Sequence, residues 1–337
     1  MSKRLTYIDS IKGFTMLLVI LGHIADGYFG GGLYSTRNQA VFLAWLYELL
    51  YAFHMPLFIM ISGFLFGMTY SREEKRRGHL AQQIGNLAIL YFAYSIVLIL
   101  VKSLLESHVN KQEDLSSILL LWGQTVKPYW YLYVLILFYL TFSIPAVKKA
   151  PVRLLLLLTA VLCAISGWVQ TPWFELHHYL YLLFFFYLGI VLYRGDLPIL
   201  EQPRFILPMF GLSVLLQILL RNYPEHYHEL PVAGGLIAFG YVLLLWYLFR
   251  KIRALAGSHF FSFLGRRSLE LYLLHCYFTA GFRELFFAAG ISSHFGFCLA
   301  ANMILSTLLP LLFTWITVKI GVHSLFFRPI IFFRKKK

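Results

Sequence analysis

Ten long apolar runs, separated by short polar connections, decide what this chain can fold into. They fall near 11–29, 47–68, 84–101, 129–147, 152–169, 178–193, 205–220, 231–249, 268–289 and 295–318. A helix needs about 20 apolar residues to cross a bilayer core, so each run is a candidate span. The 178–193 and 205–220 runs are short, and the count is good to about one helix. Backbone polar groups find no water in lipid, which leaves only helices and closed barrels as spanning structures. Continuous rather than alternating apolarity selects helices. The expected fold is an all-α polytopic membrane protein of about ten transmembrane helices, with residues 1–337 forming a single membrane-embedded domain.

A chain that is 59% hydrophobic and 13% charged, with a mean hydropathy of +0.71, is not an ordinary soluble domain. The net charge of +14 is not gathered on a long basic face, so nucleic acid is not an expected partner. It reads instead as orientation charge. Of the 29 lysines and arginines, 23 fall on one set of connections. Only Arg37, Lys102, Lys111, Lys127, Arg221 and Arg283 fall on the other. Basic residues collect on the cytoplasmic side, which places both termini there and the protein in the cytoplasmic (inner) membrane as a multi-pass chain. The first run is long and lacks a small-x-small exit, so it reads as a retained helix and not as a cleaved signal. Cys163, Cys276 and Cys298 all lie in apolar runs and read as small core residues. In the connection near 102–128, Leu115 to Trp122 reads as an interfacial helix. No soluble catalytic domain is appended, so any chemistry is expected inside the bundle.

Several polar residues sit within the apolar runs, and helical rise gives their depth. His23 follows Lys12 by eleven residues, which puts it roughly 16 Å into the membrane, with Asp26 at roughly 21 Å. Ser62, counted back from Arg72, is roughly 15 Å deep, and His275, counted from Arg267, roughly 12 Å. His54 and Trp130 both come out near the outer surface, roughly 27 Å from the inner face. The result is a layered column, with His23, Ser62 and His275 near one level and Asp26, His54 and Trp130 above. Lys12 and the loop arginines form a basic mouth below. Such a column suits a reaction whose anionic cosubstrate arrives from the cytoplasm and whose uncharged or sugar-like acceptor arrives from outside.

An ionisable ring inside a span is costly and marks a functional candidate. His23 can act as a general base toward a hydroxyl, with Asp26 three residues on orienting it. The alternative is a histidine that only hydrogen-bonds a neighbouring helix, with Asp26 meeting water at the helix end. Lys12 beside Asp9 is either a cytoplasmic anchor or a cation for phosphates. Ser62-Gly63 suits close helix packing, Pro56 a kink, and His54 and Trp130 the interfacial aromatic belt. Glu270 lies close enough to Arg266 and Arg267 to be paired.

The stretch Asp9-Ser10-Ile11-Lys12-Gly13 followed by Val19-Ile20-Leu21-Gly22-His23 resembles the opening signature of the acyltransferase family 3 integral-membrane proteins. Phe53-His54-Met55-Pro56-Leu57-Phe58 through Ser62-Gly63 is similar to that family's second motif. Pro128-Tyr129-Trp130-Tyr131-Leu132 and Ser268 through His275 fall where further family motifs occur. Lys12 replaces a commoner arginine, which keeps the charge but loses a bidentate fork, and resembles the fucose 4-O-acetylase-like branch. Ile59 stands where a second phenylalanine is common. The resemblance implies an O-acyltransferase that moves acetyl from cytoplasmic acetyl-CoA to a hydroxyl of an extracytoplasmic or lipid-linked glycan. It implies His23 and Asp26 as catalytic, Lys12, Asp9 and Ser62 as donor-binding, and His54, Trp130 and His275 as lining the acceptor cavity. No metal is expected. Direct transfer, an acyl-histidine at His23 and an acyl-serine at Ser62 are all open. The competing class is a transporter or flippase of a polar or lipid-linked solute, against which no paired Gly/Pro-interrupted helices stand in corresponding halves.

Overall fold

The computed structural model describes residues 5–34, 36–70, 77–104, 114–221, 230–291 and 294–335. The orientation charges Lys3, Arg4, Arg72, Lys75, Arg76, Lys111, Lys336 and Lys337 lie outside the described residues. Of those residues 84% are helical, and none is in a strand. In chain order the helices begin with α1 (Thr6–Gly30), α2 (Arg37–Tyr51), α3 (His54–Tyr70) and α4 (Arg77–Leu104). The single turn α5 (Ser117–Leu120) leads to α6 (Trp130–Ser143), α7 (Pro145–Lys149), α8 (Val152–Ile165) and α9 (Leu176–Arg194). Then come α10 (Pro203–Leu220), α11 (Pro231–Lys251), α12 (Arg253–Ala256) and α13 (His259–Arg266). The last four are α14 (Ser268–Ala288), α15 (Phe295–Lys319), α16 (His323–Phe327) and α17 (Pro329–Lys335).

Each of the ten apolar runs is helical over most of its length, with 47–68 divided between α2 and α3 and 129–147 between α6 and α7. Among the described residues, seven helical stretches are long and apolar enough to cross a membrane, and α6 and α8 are shorter apolar helices. The chain is therefore an all-α, multi-pass membrane protein that sits in a lipid bilayer. The expected interfacial helix at 115–122 shrinks to the four residues of α5. The expected kink at Pro56 is a break instead, with α2 ending at Tyr51 and α3 starting at His54. Pro56 sits in the first turn of α3, where its missing N–H is one that a helix leaves unpaired anyway.

The chain divides into two compact units. The first comprises Met1–Tyr51, Ile96–Ser117 and Arg253–Lys337. In it α1 is the central helix, packed on α2, α13 and α14. α1 and α13 cross at glycines from both sides. A Cβ on Gly13 would run into the Phe261 carbonyl, and one on Gly265 into the Asp9 carbonyl. Small residues at such crossings let two backbones approach closely, which is how membrane helices gain packing without a hydrophobic drive. Farther along α1, the Tyr28 hydroxyl donates to the Cys298 carbonyl at 2.9 Å and accepts from Asn302 Nδ2 at 3.2 Å. The same amide donates to the Thr279 carbonyl, and its oxygen accepts from Ser306 at 2.7 Å. These buried groups thus tie α1, α14 and α15 into one satisfied network.

The second unit comprises Ala52–Ser95 and Ile118–Ile252. Its main seam is α3 against α9. Here too the glycines are reciprocal, since a Cβ on Gly63 would enter the Phe186 carbonyl and one on Gly189 the Met60 carbonyl. On α10 the apolar side chains of Leu207, Leu215, Ile218 and Leu219 are exposed, as a lipid-facing helix requires.

Candidate functional site

In the first unit, two histidines from opposite ends of the sequence meet. His23 projects from the third quarter of α1 and His275 from the second turn of α14, with ring centroids 5.1 Å apart. The Tyr51 ring stands edge-on to His23 at 6.3 Å. His23 is partly exposed, whereas His275 is fully buried. The His275 tautomer follows from its partners. Its Nδ1 lies 2.8 Å from the Tyr272 carbonyl and 3.1 Å from the Leu271 carbonyl. Carbonyls only accept, so Nδ1 carries the proton and Nε2 of the neutral ring keeps a lone pair. That Nε2 lies 3.2 Å from the Cys276 Sγ.

One donor atom each from His23, His275 and Cys276 lies within 4.8 Å of the others, a spacing that also admits a metal ion. Lys102 near the end of α4 and Asp26 on α1 are within electrostatic reach of Cys276. Asp26 is itself exposed and also acts on Tyr51. Toward the start of α1, Asp9 is buried in the first turn, where the helix dipole favours an acid, and Lys12 is partly exposed one turn on. The buried carboxylate of Glu270 is held by Arg267 at 3.3 Å and His323 at 3.2 Å.

Ser62, His54 and Trp130 belong to the second unit. The Ser62 hydroxyl donates to the Phe58 carbonyl at 3.0 Å, so toward the Tyr131 hydroxyl at 2.9 Å it acts as acceptor. His54 is buried as the first residue of α3. Trp130 opens α6 and stacks on His178, ring centroids 4.4 Å apart. Nδ1 of His178 is 2.6 Å from the Glu175 carboxylate, which also accepts from the Thr125 hydroxyl. Phe174 and Glu175 have positive φ of 62° and 49°, a backbone conformation that side chains other than glycine seldom adopt. Burial raises the Glu175 pKa, but the hydrogen bond and charge of His178, the Thr125 hydroxyl and Lys127 outweigh it and hold the carboxyl below its ordinary range.

Sequence reasoning named His23 and His275 but passed over Cys276, Tyr51, Glu175 and His178. The adjacency of a thiol to an intramembrane histidine was the available signal for Cys276. Tyr51 carried none, because apolar periodicity gives depth along a helix and not which neighbour a face meets.

An acyltransferase domain family, acyltransferase family 3, matches residues 5–319. The chain belongs to that family. Nodulation protein NolL of Sinorhizobium fredii (strain NBRC 101917 / NGR234) is 39% identical over 69 residues, 20% of this chain and 17% of that protein. The match thus spans about a sixth of that relative's length. No solved structure matches this chain.

Proposed function

We propose that this acyltransferase moves acetyl from cytoplasmic acetyl-CoA to a hydroxyl of an extracytoplasmic or lipid-linked glycan, with His23 as the general base. The observation that carries the reading is a partly exposed imidazole inside the first span of a family 3 acyltransferase, faced by a second imidazole whose proton is fixed on Nδ1. His23 takes the acceptor proton, the oxygen attacks the acyl carbonyl, and the donor thiolate leaves with a proton. Lys12, with Asp9, meets the donor phosphates, and Ser62 contributes to donor binding. Asp26 supports the charge that His23 acquires, while His54, Trp130 and His275 serve the acceptor side. The protein is one acyltransferase domain over residues 1–337, with ten spans and cytoplasmic termini, in the inner membrane. Lys12 in place of arginine favours the fucose 4-O-acetylase-like branch.

The test supplies purified protein in liposomes with labelled acetyl-CoA, with and without glycan acceptors, and compares wild type with His23→Ala. Wild type transfers label to the acceptor, and the variant loses about 10²–10⁴-fold of that rate. Equal rates would remove His23 from the chemistry. A wild type that moves solute across the bilayer without consuming thioester would make the protein a carrier.

A further inference from the structure

We infer that Cys276 is a transient acyl carrier, with His275 as the base that activates its thiol. The inference deepens the proposed reaction and rests on it. A nucleophile within hydrogen-bond reach of a base, itself oriented by a third group, is the arrangement that covalent acyl transfer requires. All three parts are present. The Cys276 Sγ is 3.2 Å from His275 Nε2, and the Tyr272 carbonyl fixes the proton on Nδ1. Burial locks the His275 ring in place, while Cys276 keeps partial exposure. The other two cysteines lack this setting. Cys298 Sγ donates to the Ile291 carbonyl at 3.3 Å, and Cys163 lies buried on α8.

Location adds a reason. Cys276 lies nine residues beyond Arg267, about 14 Å along α14 and near the middle of a core about 30 Å thick. A thioester on cysteine also keeps the group-transfer potential of the donor thioester, which a serine ester would give up.

In the first half-reaction the Cys276 proton passes to His275 Nε2, and the thiolate attacks the donor carbonyl. A bond forms from Sγ to the acyl carbon and the bond to the donor sulfur breaks. The departing thiolate takes the proton from His275 and leaves as a free thiol. In the second half, His23 takes the acceptor proton and the acceptor oxygen attacks the acyl carbon. The carbon–sulfur bond breaks, and His23 returns the proton to the Cys276 thiolate. The donor atoms of His23, His275 and Cys276 lie within 4.8 Å, close enough for both halves to use one acyl position.

The experiment uses the full chain in lipid nanodiscs with labelled acetyl-CoA and no acceptor, quenched in acid and mapped by mass spectrometry. Wild type carries hydroxylamine-labile acetyl on the Cys276 peptide, as does a variant combining Cys163→Ala and Cys298→Ala. Cys276→Ala and Cys276→Ser lose the labile label and acceptor turnover while melting near wild type. His23→Ala keeps the label when acceptor is added and makes no product, which separates the two steps. Absence of label from wild type and His23→Ala, with wild-type turnover in Cys276→Ala, overturns the carrier and leaves the His23 reading standing. Stoichiometric zinc in purified wild type, lost in Cys276→Ala, also overturns it by assigning the three side chains to a metal. Normal transfer by His23→Ala would refute the base reading instead, whatever the label on Cys276.

Discussion

Replacing Gly63 by alanine separates packing from chemistry in the Ser62-Gly63 pair. The new Cβ would lie 2.8 Å from the Phe186 carbonyl carbon and 3.0 Å from its Cα. Non-bonded carbons rest about 3.5–4.0 Å apart, so α3 and α9 must part by about 1 Å. Overpacking costs about 1–3 kcal/mol, and an obstacle made of helix backbone cannot rotate aside, which puts this site near 3 kcal/mol. Alanine regains about 1 kcal/mol of helix propensity, leaving a net loss of about 2 kcal/mol. Gly211 on α10 is the control, since a Cβ there meets no neighbour within 4 Å. Gly211→Ala should stabilise by up to about 1 kcal/mol. Both variants would be melted in one detergent while a fluorogenic maleimide reports exposure of the buried Cys163 and Cys298. At about 2–4 °C per kcal/mol, Gly63→Ala should lower Tm by about 4–8 °C and Gly211→Ala should not lower it. A Gly63→Ala protein that melts at or above wild type, or equal losses at both sites, would refute the packing argument. Ser62→Ala keeps the crossing intact, so a loss of activity there at near-normal Tm would point to the donor and not to packing.

Two further outcomes follow from the polar networks. The Glu175 pKa is depressed in the folded state, so its contribution is fully present above the carboxylate's ordinary value and is lost as pH falls through the folded one. Melting curves of wild type and Glu175→Gln should therefore differ near neutral pH and converge in acid, and a gap that persists in acid would be inconsistent with this sign. Asn302→Ala removes a donor from the Tyr28 hydroxyl and the Thr279 carbonyl and an acceptor from Ser306. With those three bonds lost in a buried setting the loss should be about 1–3 kcal/mol, and a Tm unchanged from wild type would show that the network is not load-sharing.

Much of this architecture was legible because the bilayer restricts a sequence so severely. Every long apolar run had to be a helix, and fixed rise per residue then placed His23 and His275 at similar depths before any packing was known. What stayed hidden was lateral. The break after Tyr51 was hard to see because Ala52 and Phe53 are as apolar as their neighbours. Glu175 and Phe174 adopt their left-handed backbone without a glycine to announce it. Cys276 looked like core because a thiol is compatible with apolar surroundings, and only the packing of α14 on α1 brings it near His23.

The first unit is assembled from three separate stretches of chain, and that has a consequence for biosynthesis. Its hydrogen-bonded partners are separated by as many as 246 to 274 residues, as between Ser10 and Ala256 or Tyr28 and Asn302. A ribosome adding about 5–20 residues per second reaches the second partner about 10–50 s after the first. During that delay α1 waits without His275 or Cys276, while every residue of the second unit has been made by Ile252. Translation arrested there would have supplied every residue of the second unit but not of the first, so the last quarter of the chain controls when the first unit can form.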